Sequence, residues 1–401
     1  MHEYSVDEVL ARLRARLAPV MEHEPVALAS AVGRVLAADV VSTIDLPAFD
    51  NAAMDGFALR SEDGAADARL RVIGQALAGH PFAGHVERGQ AVRIMTGAPI
   101  PAGADAVVMR EDTQSADGEV ALQRAVIAGL NVRRRSEHVR AGEAVLLAGR
   151  RLRPEDIGLA ASVGANAVIA CRALRVAILS TGDELVDAPS PLSSSALYDG
   201  NRPLIAALLT RAGAEVIDLG ISSDDPQDFA GRLDAAVRAG ADVLITTGGA
   251  AEGDADVVRR HGEVEFIPLN FRPGRGILVG TLARGAHAMT LLGLPGNAVA
   301  AYLMYQLVAR PTLAWMAGAG EEAPLCVQVP VAEDLRGKPG RIEWRRARFI
   351  RRFGGLGIEP LKDQSSSMLR TVSEADALVA VPPEGVRAGE PIDTLPLAAL
   401  D

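Results

Sequence analysis

Residues 173–318 repeat one pattern: a continuous apolar run, a glycine-bearing loop, then a segment with helical periodicity. "LRVAILSTGDEL" opens the stretch, and "NRPLIAALLTRAGAEVIDLG" supplies a helix stopped at Gly213 and a second strand. "PQDFAGRLDAAVRAGADVLITTGGAAEGD" repeats helix, strand and glycine loop, and "AMTLLGLPGNAVAAYLMYQLVA" adds strand, loop and helix. Runs that are apolar at every position belong to strands buried on both faces, and strands alternating with helices pair in parallel. The pattern therefore predicts a parallel α/β domain. Ligands of such sheets bind beyond the carboxyl ends of the strands, which directs attention to loops 180–185, 246–256 and 294–299.

The period changes on either side. "SVDEVLARLRARL" has Ser5 and Asp7 at its start and Val6, Leu10, Leu13 and Leu17 on one face, as in a capped amphipathic helix. Residues 42–140 are short alternating runs such as "RLRVIGQ", "QAVRIM" and "EVALQ" between Gly, Pro and Asp clusters, the pattern of a β-rich domain. Helical character returns at "RPEDIGLAASVG", with Pro154 suited to a first turn and Gly164 to a stop. The expected organisation is a helical/linker domain from 1–41 and 141–172, an inserted β-rich domain at 42–140, the α/β domain at 173–318 and a C-terminal β-barrel at 319–401.

At 401 residues, 49% of them hydrophobic, the chain can build several packed cores. Its 51 acidic against 41 basic residues give a net charge of −10, which argues against a general nucleic-acid binder. Cys171 and Cys326, the two cysteines, form neither a disulfide framework nor a zinc site, which fits a reducing cytoplasm. No secretory leader is expected from "MHEYSVDEVLARLRARL", and the longest apolar stretch, "AVAAYLMYQLVARPTLAWMAG", is cut by Arg310 and Pro311. A soluble protein with no membrane partner is the expectation.

Gly248, Gly249, Gly253 and Gly296 let backbone N–H groups approach an anion, and the helix N-termini that follow favour negative charge. The same loops carry Asp183, Glu184, Glu252, Asp254 and Asp256. Helix capping accounts for any one of these acids. Five of them beside a phosphate cradle repel the ligand unless at least one coordinates a divalent cation such as Mg²⁺. "DNAAMDGFALR", at 50–60, places Asp50 and Asp55 in a turn, where each either bonds its own backbone or faces a charged ligand. "NVRRRSEHVRAGE" carries Arg133, Arg134 and Arg135, and "EWRRARFIRR" is expected to show its arginines on the wet face of a strand.

Nine separated stretches, "PAFDNAAMDGFA", "IMTGAPIPAGADAVVM", "NVRRRSEHV", "VAILSTGDEL", "YDGNR", "ITTGGAAEGDAD", "RPGRG", "LPGNAV" and "DQSSSML", together resemble the MoeA family, whose eukaryotic relative is the E domain of gephyrin. The resemblance covers nearly the whole chain. It implies an elongated homodimer of four-part subunits with a MogA-like molybdopterin-binding α/β domain. It also implies Mg²⁺-dependent insertion of molybdate into adenylylated molybdopterin, with release of AMP, in the cytoplasm. The cleft would lie between the α/β domain of one subunit and the inserted domain of the other. By the same resemblance a MogA-like adenylyltransferase supplies the substrate, and apo-molybdoenzymes or their chaperones receive the product.

Carried over position by position, the catalytic residues are Asp55, Thr96, Glu184 and Asp256. The implied metal ligands are Asp55, Glu184, Asp225 and Asp256. Substrate contacts are implied for Thr181, Gly182, Gly248, Gly249, Gly253, Arg272, Arg275, Pro295, Gly296, Asn297 and Arg134. The chain departs from the family pattern at Ser136-Glu137-His138, where Gly-Glu-Asp is usual, and at "TGGAAEGD", "RPGRG" and "PGNAVA". These departures keep a second reading open, a non-catalytic molybdopterin- or nucleotide-binding carrier or scaffold.

Overall fold

The computed structural model describes residues 2–248, 262–285, 287–320, 326–352 and 354–397. The α/β sheet is built from β1 (Arg175–Thr181), β2 (Glu215–Ser222), β3 (Val243–Thr247), β4 (Gly262–Pro268), β5 (Gly276–Arg284) and β6 (His287–Leu294). Its order is β2-β1-β3-β6-β5-β4. The first four strands in that order are parallel, and β5 pairs antiparallel with β6 on one side and β4 on the other. Strand alternation explains the unbroken apolar runs: Val176, Ile178, Val243 and Ile245 enter one core, while Ala177, Leu179 and Leu244 enter another. Helix Asn201–Arg211 packs Ile205, Leu208 and Leu209 into the first core, and helix Pro226–Arg238 packs Phe229, Leu233 and Ala236 into the second.

The helix after β6 extends past the proline that interrupts its apolar run. It runs as Ala298–Met304, a π turn at Tyr305–Ala309, and then Arg310–Met316. A proline inside a helix removes one hydrogen bond and clashes with the carbonyl four residues back; the wider π turn just before Pro311 accommodates both. The helix Val6–Arg16, closed by a Ser5–Glu8 capping box, buries Val9, Leu10 and Leu13 in the same core as Tyr305 and Leu313. No helix among the described residues is long and apolar enough to cross a membrane.

Strand His23–Ala27 pairs antiparallel with Ala167–Cys171, and Val40–Val41 pairs with Ala144–Leu146, so the chain on both sides of the inserted residues shares one core around Leu36, Leu152 and Val163. Between them lies a six-stranded sheet. Gly56–Leu59 sits in it between Ala106–Met109 and Gln90–Ile94, and Arg69–Ala76, Glu119–Leu122 and Thr113–Ala116 continue it.

The C-terminal sheet centres on Ile342–Arg352, which pairs antiparallel with Gly355–Pro360 and Ala377–Val381. Its edge is closed by two residues from the α/β domain, Phe271–Arg272, lying parallel to Ile342–Glu343. The expected class, α/β with β-rich domains and a C-terminal β domain, is what the chain adopts. One detail differs. The arginines of "EWRRARFIRR" were expected on a solvated face, yet Arg346 is 1% exposed. It shares strand parity with Trp344, which is 8% exposed, so the period-two rule sends both inward.

Candidate functional site

β1, β3 and β6 are neighbours in the sheet, so the loops at their carboxyl ends meet. The Gly182 amide donates to the Ser222 carbonyl at 3.1 Å, and the Gly248 amide donates to the Leu294 carbonyl at 3.2 Å. Gly248 has φ +89°, and a Cβ there would stand 2.5 Å from the Thr181 carbonyl oxygen. A Cβ on Gly296 would in turn lie 3.4 Å from the Gly248 Cα. Glycine at 248 and 296 therefore lets two loops pack backbone to backbone. Below them the Ser180 and Thr247 hydroxyls bond each other at 2.7 Å in the buried interior. The Thr181 hydroxyl oxygen is also buried but has no hydrogen-bond partner among the described residues, an open valence at the ligand edge.

Two of the acids here already bond backbone. Asp183 Oδ1 accepts from the Asp224 amide at 3.0 Å, and Asp225 caps its helix by accepting from the Gln227 amide at 3.0 Å. The exposed Glu184 carboxylate folds over Gly182, where a Cβ would overlap it, and has no partner among the described residues. Gly249, Gly253 and Asp256, expected at this site, lie outside the described residues, as do Glu252 and Asp254.

A pocket of about 570 Å³ opens between this edge and the C-terminal sheet, and Arg272, Arg275, Pro295, Gly296 and Asn297 all line it. Its far wall carries Lys338, Arg346 and Ser366. Asn297 Nδ2 donates to Ser366 Oγ at 3.0 Å, and the Val299 amide donates to the Ser366 carbonyl at 3.1 Å, so the serine loop is moored on the helix N-terminus. The guanidiniums of Arg272 and Arg275 make no hydrogen bond or ion pair among the described residues. Arg346 donates from Nε to Thr371 Oγ1 at 3.0 Å and from Nη2 to the Ser365 carbonyl at 2.9 Å, with no carboxylate partner. Burial lowers the Arg346 pKa, yet a guanidinium stays charged in proteins. Glu343, the one acid among the described lining residues, is pushed up by burial but held below its ordinary value by Lys338 and Arg345. The pocket is therefore positively charged and suited to an oxyanion.

Sequence reasoning singled out the near wall and missed the far one. Two signals were present: the shared parity of Trp344 and Arg346, and "DQSSSML", a recognised motif to which no role was attached.

The inserted domain holds Asp55. Its Oδ1 accepts from the Thr96 amide at 2.8 Å and from the Thr96 hydroxyl at 2.7 Å. The amide first, then the hydroxyl, hold this exposed carboxyl below its ordinary value, with Arg110 and Arg93 contributing charge. Gly56 follows because the strands close in immediately: a Cβ there would overlap the Val108 carbonyl. Asp50 has the other role open to it, a structural one. It accepts from the Arg135 amide at 2.7 Å and from Arg134 Nη1 at 2.8 Å, bonds that lower its pKa in that order. Among the described residues no hydrogen bond or ion pair joins Asp55 or Thr96 to the α/β loops of the same chain.

Replacing Thr96 by Val removes the hydroxyl donor, so the Asp55 pKa rises toward that of an ordinary aspartate. Because its folded pKa is lowered, the Asp55–Thr96 bonds stabilise the protein above the unfolded aspartate pKa, and that contribution is lost as pH falls through the folded value. In Thr96→Val the contribution is smaller and its loss, starting from the same unfolded aspartate pKa, is complete at a higher pH. Carboxyl ¹³C NMR titration reads this directly, and an unmoved midpoint would refute it.

Family models cover almost all of this architecture. One for the MoeA N-terminal region (domain I and II) matches residues 4–164, one for a probable molybdopterin binding domain matches 177–315, and one for the MoeA C-terminal region (domain IV) matches 328–397. Over 401 residues, 98% of each chain, the sequence is 34% identical to a Haemophilus influenzae protein named molybdopterin molybdenumtransferase. The chain belongs to the MoeA family. A Synechococcus elongatus protein of the same name is 34% identical over 96% of this chain and 97% of its own. The solved structure of a Pyrococcus horikoshii molybdopterin biosynthesis MoeA protein superposes with a TM-score of 0.84 at 28% identity, covering 98% of this chain and 100% of that one.

In this MoeA-family chain the departures from the usual motifs fall at identifiable places. His138 is exposed, its amide donating to the Leu46 carbonyl at 2.9 Å, and the two arginines of "RPGRG" line the oxyanion pocket. The described residues of one chain contain no group of three His, Cys, Asp or Glu side chains that could hold a metal ion. One chain's described residues thus do not provide a complete Mg²⁺ site.

Proposed function

We propose that this chain is a molybdenum insertase of molybdenum cofactor biosynthesis, which takes adenylylated molybdopterin and molybdate and releases AMP. The observation that carries this reading is the positively charged pocket where the glycine edge of the α/β sheet meets the C-terminal sheet. Molybdate is a tetrahedral dianion, and Arg272, Arg275, Arg346 and the Ser366 hydroxyl offer the charge and donors it needs. Beside that pocket the Gly248–Gly296 contact and the Thr181 hydroxyl, which has no hydrogen-bond partner among the described residues, provide a narrow backbone-lined edge for the phosphate-bearing end of the pterin substrate. Seating both ligands side by side brings molybdate to the dithiolene and removes the entropic cost of their encounter.

Asp55, held ionised by Thr96, acts in the same reading from a second copy of the chain. Its exposure, and the absence among the described residues of any hydrogen bond or ion pair to its own α/β loops, support a cleft completed by dimerisation. Glu184 and Asp225, with Asp256 and the second copy's Asp55, form the proposed ligand set for Mg²⁺, which would offset charge on the phosphoryl oxygens. The test is AMP release from adenylyl-molybdopterin with Mg²⁺, measured with and without molybdate. Molybdate-dependent release that activates an apo-molybdoenzyme supports the transferase. Tight binding without release replaces it with the carrier reading, which His138 and the altered loops favour.

A further inference from the structure

The motif "YDGNR" (198–202) does not line the oxyanion pocket, yet it is bonded to a loop that does. Gly200 occupies the cap position of the helix Asn201–Arg211 and has no side chain to offer. Asp199, whose side chain is 1% exposed, supplies the acceptor, taking the Asn201 and Arg202 amides at 3.1 Å each. Arg202 fixes that aspartate through Nε at 3.0 Å and also pairs with Asp187 and Asp218. With the helix end satisfied by Asp199, the Asn201 side chain turns outward, and its Nδ2 donates to the Gly296 carbonyl at 2.7 Å.

Asn297, the next residue, is diverted in the same way. It is the N-cap of the helix Ala298–Met304, but its side chain makes no capping bond. Asparagine at such a position ordinarily accepts an amide of the first helical turn. Here Nδ2 donates instead to Ser366 Oγ at 3.0 Å, while the Val299 amide holds the Ser366 carbonyl at 3.1 Å. A hydroxyl has one proton and two lone pairs. Because Asn297 engages a lone pair, the Ser366 proton points away from it, and among the described residues that proton is donated to nothing. Ser366 lines the pocket together with Arg272, Arg275 and Arg346, so the acceptor it lacks is one the pocket would hold.

We propose that Asn297, steadied by Asn201 through the Gly296 carbonyl, is a positioning residue that keeps the Ser366 hydroxyl a donor toward the pocket. This rests on the reading of that pocket as the molybdate site. Molybdate is unprotonated at neutral pH, so it accepts hydrogen bonds and offers none. A serine free to turn its lone pairs inward would oppose the anion, whereas one held as a donor favours it. Asn297 therefore acts through Ser366 and not by touching the ion.

The test is a double-substitution cycle on the full chain, read as molybdate affinity by calorimetry, which needs no turnover. Ser366→Ala is expected to weaken molybdate about tenfold, the worth of one hydrogen bond to a charged group. Asn297→Ala should weaken it by nearly as much, and Asn201→Ala about threefold. In the Ser366→Ala background neither substitution should cost more than about twofold, because the hydroxyl they orient is gone. In the AMP-release assay Asn297→Ala should raise the KM for molybdate and leave kcat unchanged, the mark of lost uniform binding. Equal losses in the parent and the Ser366→Ala background overturn the proposal and make Asn297 a direct contact to the anion. A fall in kcat at unmoved KM overturns it as well. If the parent binds no molybdate, the reading of the pocket fails and the proposal with it; parent binding with additive losses removes the proposal alone.

Discussion

Asp55→Asn lowers molybdate-dependent AMP release by at least about a hundredfold, the scale seen when one preorganised electrostatic group is removed. Asparagine keeps an oxygen to accept from the Thr96 amide and hydroxyl, so the turn survives and circular dichroism should not change. Only the charge is lost. A mixing experiment then tests where that charge acts. If the cleft pairs Asp55 of one copy with Glu184 of the other, a heterodimer of Asp55→Asn and Glu184→Gln subunits holds one intact cleft. Random mixing of the two inactive variants would then recover about a quarter of wild-type activity, as two-fold symmetry requires. Recovery near zero would place both residues in the same chain's site, and wild-type turnover by Asp55→Asn would remove Asp55 from the mechanism.

Arg346→Met separates binding from stability. Arg346 is a fully buried charge with no hydrogen-bonded carboxylate, although Asp363 and Glu343 favour its charge, and its side-chain hydrogen bonds go to Thr371 and the Asp363 and Ser365 carbonyls. Losing them leaves buried acceptors unsatisfied at about 1–3 kcal/mol each. Removing a desolvated buried charge, with methionine filling much of the space, offsets part of that cost. The expected net loss of stability is therefore small, about 2 kcal/mol by denaturant titration. Molybdate affinity, by contrast, should fall at least about tenfold, the cost of one charge-assisted bond. Arg346→Lys keeps the charge and loses the planar fork, so its affinity should lie between the two. Undiminished molybdate binding by Arg346→Met would assign this arginine to holding the serine loop alone.

The parts legible in the sequence were those written in short-range periodicity. Val176, Ala177, Ile178 and Leu179 read as one apolar run because alternate residues feed two cores. Glycines at strand ends marked the loops that meet around Gly248 and Gly296. The near wall of the pocket, Arg272, Arg275 and Pro295–Asn297, was recovered from motifs. The far wall was not, because its meaning depends on neighbours more than 60 residues away in sequence, as in the Asn297–Ser366 bond, where the separation is 69. Pro311 looked like an interruption because a π turn leaves no recognised mark on composition.

The sequence by itself determined which segments are strands buried on both faces and which loops follow them, since those follow from the side-chain period of each element. It also placed Asp50 and Asp55 in one turn. Only the tertiary structure assigned them different work: Asp50 is taken up by Arg134 and Arg135, 84 and 85 residues away, while Asp55 is left facing solvent on Thr96. The docking of Phe271–Arg272 onto Ile342–Glu343, which builds the pocket, was likewise decided in three dimensions. A two-residue strand has no periodicity to read, and its pairing is chosen by the edge it meets.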